Sequence, residues 1–232
     1  MSYAVAVVGG TGEEGRGLAA RLAIAGHPVV IGSRDAARAS TAASEVAVLV
    51  TAAGYTADIT GAANAAAVAA ADLVLITVPF EAHRDTLTAL APALAGKTVI
   101  DAVVPMRFER GPRPVDVEEG SATEQAAAIL AGIAVCGAFH NVAAASLLDL
   151  AHPLDDDVLV TGDDADAKTR VRALVDEVAG LRSVDAGPLR FSRFVEGLTI
   201  LLVGVNIRYK ACLLYTSPSP RDRTRSRMPS SA

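Results

Sequence analysis

Short apolar runs alternate with alanine-rich, helix-patterned stretches along most of this chain. The runs fall at 3–8, 28–32, 55–59, 73–78, 98–102 and 133–137, each bounded by turn-forming or charged residues. That alternation predicts successive βα units and a parallel sheet. Within the runs the apolar residues are continuous, as in Val5-Ala6-Val7-Val8 and Leu73-Val74-Leu75-Ile76. Strands covered by helices on both faces require this pattern, so the sheet is expected to be doubly wound. The stretch 62–71 is nearly all alanine, which favours helix and lets a helix lie close to a sheet.

The alternation breaks at 105–120, a Pro/Gly-rich charged stretch read as a surface loop. Ser121, with Glu124 three residues later, then supplies a capping-box start for a helix. After His140 the pattern becomes a short helical stretch, a strand near 158–161, a helix over 165–178 and a strand near 182–185. These are read as a smaller C-terminal unit. Gly187-Pro188 opens a long apolar helix reaching about Ala211, with Phe191, Phe194, Val195, Leu198, Leu201, Leu202 and Val205 at roughly helical spacing. Such a face predicts a partner, another subunit. From Cys212 onward the composition shifts to Ser, Pro and Arg with no apolar period. Residues 212–232 are therefore read as a disordered, non-native tail, adaptor read-through rather than a basic regulatory arm.

Composition narrows the function classes. The 232 residues are 51% hydrophobic, and 21 Lys+Arg against 26 Asp+Glu give a net charge of −5, which fits a soluble protein with a full core. No basic, aromatic-bearing stripe is available for a phosphate backbone, which argues against nucleic acid. The two cysteines, Cys136 and Cys212, form no CxxC or Cys/His cluster, so neither a disulfide framework nor a zinc site is expected. A reducing cytoplasm fits that usage, and the first apolar run is too short for an export signal or a membrane span. His27, His83 and His152 have no metal-ligand spacing and are read as solvent-edge, helix and turn residues; Cys136 is read as buried and inert.

The chemistry concentrates where the first strand ends, in Gly9-Gly10-Thr11-Gly12-Glu13-Glu14-Gly15. A Gly10-x-Gly12-x-x-Gly15 turn between a strand and a helix is a dinucleotide signature. Gly10 permits the tight turn, Gly12 lets backbone approach a pyrophosphate, and Gly15 lets helix and strand pack closely. The helix N-terminus adds free N–H donors. Glu13 and Glu14 are awkward beside a phosphate, so their backbone N–H groups are expected to face the ligand and their side chains solvent.

The end of the second strand decides which dinucleotide. Gly32-Ser33-Arg34 replaces the acidic residue that would select NAD, and Arg38 lies one helical turn after Arg34. A hydroxyl and two guanidinium groups suit the 2′-phosphate of NADP(H). The alternative is a solvated charge pattern of both arginines with Asp35. Val78-Pro79 and Val104-Pro105 follow the fourth and fifth strands at the sheet edge where ligands bind. The prolines either floor a nicotinamide site or only end the strands.

Together with these turns, Ala138-Phe139-His140-Asn141-Val142, Thr161-Gly162-Asp163-Asp164 and Asp185-Ala186-Gly187-Pro188-Leu189 followed by Ser192-Arg193-Phe194-Val195-Glu196 resemble the NADPH-dependent coenzyme F420 reductase family, over about 3–211. The resemblance implies hydride exchange between NADP(H) and the 5-deazaflavin coenzyme F420 by a homodimer or higher homo-oligomer. It implies an NADP-binding Rossmann domain over 1–143 and a smaller domain over 144–211 that completes the deazaflavin cleft. By the matching motifs, Thr11 to Glu14 hold the pyrophosphate, Ser33, Arg34 and Arg38 the 2′-phosphate, and Val78, Val104 and Ala144 the nicotinamide side. His140 and Asn141 line the deazaflavin face. No metal or nucleophile is required; His140 is a candidate proton or hydrogen-bond donor. The family's final glycine-containing segment, which reaches the deazaflavin, is replaced here by residues 212–232, so deazaflavin affinity is expected to suffer more than NADP binding. Two other functions remain open: an NADP-dependent reductase of a flavin, ferric chelate or imine, and a non-catalytic NADPH-binding regulatory module.

Overall fold

Strand β1 (Val5–Val8) is buried at every position and lies inside the sheet, between β2 (Val29–Ser33) and β4 (Leu73–Ile76), parallel to both. The computed structural model describes residues 2–209. The sheet has eight strands in the order β10-β9-β8-β5-β4-β1-β2-β3. The remaining strands are β3 (Ile59–Ala63), β5 (Thr98–Asp101), β8 (Ala134–Gly137), β9 (Asp156–Gly162) and β10 (Leu181–Gly187). From β1 the chain moves outward through β2 to β3, then crosses back to β4 on the other side of β1. That reversal leaves a crevice beyond the carboxyl ends of β1 and β4, the place where such sheets bind ligands.

Alternate residues of each central strand feed two cores, as a sheet covered on both faces demands. Val5, Val7, Leu73, Leu75 and Ile100 pack against residues of α1 (Glu13–Ile24), α2 (Ala36–Ala52) and α7 (Ala165–Glu177). Ala6, Val8, Val74, Ile76 and Val99 pack against α3 (Asn64–Ala69), α4 (Phe80–Leu94) and α5 (Ala122–Ile129). Several helix starts carry the side-chain caps that the sequence supplies. Asp35 accepts from the amides of Ala37 and Arg38 on α2, Asp164 from Ala167 on α7, and Ser121 from Glu124 on α5. The Glu124 carboxylate accepts in turn from the Ser121 hydroxyl at 2.9 Å.

Four sequence expectations are corrected. The third strand begins at Ile59 and not at Tyr55, and α3 starts at Asn64. Strand β3 is an edge strand built from Ile-Thr-Gly-Ala-Ala, and it lies so close to α2 that a Cβ on Gly61 would fall 2.3 Å from the Ala39 backbone. The stretch after Pro105 contains an antiparallel hairpin, β6 (Met106–Phe108) with β7 (Pro112–Pro114). The sheet is not wholly parallel, because β9 pairs antiparallel with β8 before β10 adds parallel to β9. The strands read as a smaller C-terminal unit therefore extend the nucleotide-binding sheet. Finally, His27 and His83 are buried, 1% and 0% exposed, each drawn inside by an acidic partner, Glu177 and Asp101.

Helix α8 (Ser192–Tyr209) closes the described chain. Val195 and Ile200 face inward, while Phe194, Leu198, Leu201 and Ile207 lie exposed. The remainder of the chain, including Cys212 and the tail, lies outside the described residues.

Candidate nucleotide and substrate cavity

A cavity of about 840 Å³ opens at the crevice. Its near end is the β1–α1 turn. Gly9 adopts φ +77°, and a Cβ there would fall 2.5 Å from the Val78 side chain, so the chain reverses against the end of β4 only because that position is glycine. Gly10 and Gly15 sit beneath the cavity and not in its wall. A Cβ on Gly15 would lie 2.6 Å from the Cα of Gly10 and 2.8 Å from the Thr77 hydroxyl. Gly12 is the opposite case: nothing lies within 4 Å of a Cβ built on it. Unlike α2, α5 and α7, helix α1 has no side-chain cap at this end, so its first amides remain free for an anion. Open space above Gly12 and uncapped amides beside it fit a pyrophosphate.

Thr11, Gly12, Ser33, Arg34 and Arg38 all line the cavity. The guanidinium groups of Arg34 and Arg38 have no hydrogen-bond or ion-pair partner among the described residues, because Asp35 is engaged in capping α2. The Ser33 hydroxyl accepts from the Asp35 amide at 3.3 Å.

Across β1 from these arginines the wall is made by Val78, Pro79, Val104 and Ala144. Pro105 lies buried behind it and contributes nothing to the surface. The hairpin supplies a lip of Met106, Arg107 and Phe108. Arg21 holds the Ala144 segment by donating to the carbonyls of Ser146, Leu147, Asp149 and His152.

His140 reaches the cavity while 5% exposed. The residue before it, Phe139, is fully buried with φ +67°, a conformation that costs a side chain about 1–3 kcal/mol and is sustained by its packing. Nε2 of His140 lies 3.4 Å from the Thr123 hydroxyl and 3.8 Å from the Glu196 carboxylate, while Nδ1 has no partner among the described residues. Burial pushes its pKa down to about 4, so the ring is neutral. Thr199, also in the wall, donates to the His140 carbonyl at 3.0 Å. Asn141 is turned away: its amide donates to the Asp157 carbonyl at 2.6 Å, and it is absent from the wall.

Two features escaped the sequence reading. Glu13 is exposed as expected, but Glu14 lines the cavity, half-buried, and burial followed by the charge of Asp101 pushes its pKa up to about 8. Behind the wall Asp101 and His83, neither of them exposed, form an ion pair at 3.1 Å. The Gln125 amide donates to Glu119, which turns its oxygen toward Nδ1 of His83 at 3.1 Å. Against the cost of burial, Asp101 and then Gln125 hold the His83 pKa above its ordinary value. An aspartate ending an otherwise apolar strand was the available signal. The Asp101 carboxylate also accepts from the Val103 amide at 3.2 Å, fixing the turn that brings Val103 and Val104 to the wall.

Fold and site together define a Rossmann-type protein with a cavity at the carboxyl edge of its sheet, bordered by a glycine turn and two arginines. Residues 4–105 match the family model described as NADP oxidoreductase, coenzyme F420-dependent. The chain is 42% identical over 213 residues to the F420-dependent NADP reductase of Methanothermobacter thermautotrophicus, covering 90% of this chain and 91% of that protein. It is 38% identical over 210 residues to the enzyme of the same name from Methanocaldococcus jannaschii, covering 89% and 94%. A crystal structure from Arthrobacter sp. FB24, assigned as an F420-dependent NADP-reductase, superposes with a TM-score of 0.76 at 28% identity, covering 90% and 96%. The NADP-bound pyrroline carboxylate reductase of Plasmodium falciparum shares the fold alone, with a TM-score of 0.56 at 10% identity over 99% of this chain and 86% of that one. This chain belongs to the F420-dependent NADP reductase family.

Proposed function

We propose that this protein exchanges hydride between NADP(H) and the deazaflavin coenzyme F420. The observation carrying the proposal is one continuous cavity that runs from the unpaired Arg34 and Arg38, past the open face of Gly12, to the neutral His140. Hydride leaving the reduced nicotinamide is accepted by the deazaflavin ring with one proton, and the two coenzymes supply all the redox chemistry. The protein's task is orientation and exclusion of water. Arg34, Arg38 and Ser33 bind the 2′-phosphate, and the amides from Thr11 to Glu14 bind the pyrophosphate. Val78, Pro79, Val104 and Ala144 bound the nicotinamide half. His140 presents a neutral ring to the deazaflavin side, which suits hydrogen bonding and not proton donation by an imidazolium. Asn141 acts only by bracing the Asp157 segment.

In this reading residues 1–143 carry the nucleotide site and the segment from 144 completes the second ligand's side. The exposed apolar residues of α8 support a homo-oligomer. A cytoplasmic setting is supported by cysteine usage, and among the described residues no helix is long and apolar enough to cross a membrane. The direct test mixes the protein with coenzyme F420 and NADPH, with NADH in parallel, and follows the deazaflavin absorbance. Bleaching by NADPH and hardly by NADH is expected. Equal rates with both nucleotides would refute the arginine assignment, and no bleaching would refute the reaction.

A further inference from the structure

Glu14 is a carboxyl group in the wall of a nucleotide cavity, and it has no hydrogen-bond or ion-pair partner among the described residues. Its position along the wall is informative. Helix α1 meets the residue just past β4 at Gly15, against the Thr77 hydroxyl, and, after burial, the charge acting on Glu14 is that of Asp101 at the end of β5. Both lie across β1 from Arg34 and Arg38. The carboxyl group therefore belongs to the half of the cavity bounded by Val78, Val104 and His140, away from the phosphate-binding end.

The two redox forms of the nucleotide differ there and nowhere else. The nicotinamide ring is cationic when oxidised and neutral when reduced, while the phosphates are the same. A carboxylate in a partly desolvated wall attracts the cationic ring and gives the neutral ring no comparable gain. We infer that Glu14 discriminates between the redox states of the bound nucleotide: its ionised form tightens NADP⁺ relative to NADPH, and its protonated form does not. This inference rests on the nucleotide reading proposed above.

The neighbouring charges decide when that discrimination operates. Asp101 opposes ionisation but is paired with His83 from α4. His140 is neutral. On α1 itself Glu13 is exposed and Arg16 is tied to Glu45 of α2 at 2.7 Å. At the lip Glu81 and Arg107 face each other at 3.8 Å, and Arg34 and Arg38 occupy the far end. Burial, and after it the charge of Asp101, push the Glu14 pKa up to about 8, with no cation among the described residues paired to it. Binding of NADP⁺ then supplies the missing cation and expels the proton. Because binding and protonation are linked, discrimination is absent well below that pH and complete above it.

The test is binding of NADP⁺ and NADPH to the full chain by calorimetry, with proton release read from buffers of different ionisation enthalpy. Between about pH 5.5 and about pH 9.5 the affinity ratio should move about tenfold toward NADP⁺, the equivalent of one pKa unit of coupling. That corresponds to about 30 mV in the potential of the bound two-electron couple. Near pH 8 NADP⁺ should release more protons than NADPH, and Glu14→Gln, which keeps the backbone amide and removes only the titrating group, should abolish both effects. A pH-independent ratio, or a shift that survives in Glu14→Gln, overturns the inference and leaves the nucleotide assignment standing. Failure of the wild-type chain to bind either nucleotide overturns both.

Discussion

Nε of Arg21 on α1 donates to the carbonyl of Leu147 at 2.9 Å, across 126 residues of sequence. The same guanidinium reaches the carbonyls of Ser146 at 2.9 Å, Asp149 at 2.7 Å and His152 at 3.2 Å. It thereby satisfies the end of α6 (Ala144–Leu148), whose first residue lines the cavity. Close packing makes the contact possible, since a Cβ on Gly17 would lie 2.5 Å from the Cβ of Leu147. One side chain of the nucleotide-binding helix thus fixes the segment that closes the site.

Arg21→Met keeps the aliphatic stem and removes every one of these donors. Several carbonyls lose a charged partner in a largely buried place, so a stability loss of about 2–4 kcal/mol is expected. Denaturant midpoints measure it, and amide exchange over 143–150 should rise first.

Gly12 and Gly15 separate binding from folding. Gly12→Ala meets no protein atom within 4 Å and sits at φ −79°, ψ 170°, where alanine is at ease. It should melt like the wild type and lose NADPH affinity at least about tenfold, since the methyl group displaces a phosphate's backbone hydrogen bonds. Gly15→Ala would collide with Gly10 and Thr77, costing about 1–3 kcal/mol of stability as well as binding. Thermal melts beside nucleotide titrations distinguish the two.

Arg34→Ala and Arg38→Ala should each weaken NADPH by about tenfold to a hundredfold, the value of a charge-assisted hydrogen bond, and leave NADH affinity nearly unchanged. Equal losses for both nucleotides would show that the arginines do not read the 2′-phosphate.

Stability should depend on pH through Glu14. Its carboxyl is raised from 4.5 to about 8 in the folded chain, so folding takes up a proton between those values. The stability present below about 4.5 is lost as pH rises and is fully gone above about 8. Glu14→Gln has nothing to titrate and should gain on the wild type across that window, then hold a constant lead. Denaturant titrations at several pH values measure the difference, and a constant difference throughout would contradict the burial argument.

Much of this site is legible in the sequence because its determinants are local. Gly10, Gly12 and Gly15 lie within one turn, Ser33 and Arg34 end one strand, and Arg38 follows on the next helix. Each follows from a strand, a turn and a helix read in order. The unread parts depend on distant partners. Nothing near His83 in sequence explains its burial; its partners are Asp101, 18 residues away, and Gln125, 42 away. Glu14 was expected in solvent on the strength of its charge, yet its place in the helix turn faces the cavity. Asn141 is placed beside His140 by the family motif, while its amide donates to the Asp157 carbonyl, 16 residues away. The antiparallel entry of β9 likewise depends on which sheet edge is free, which local pattern does not encode.

The central claim is direct hydride exchange between the two coenzymes held in one cavity, and isotope transfer tests it most closely. With NADPH deuterated at the transferring nicotinamide position in ordinary water, the reduced deazaflavin should carry the deuterium. With unlabelled NADPH in heavy water, the hydride-accepting carbon should carry none. Deuterium appearing from solvent at that carbon, or no deazaflavin reduction with NADPH, would contradict the account.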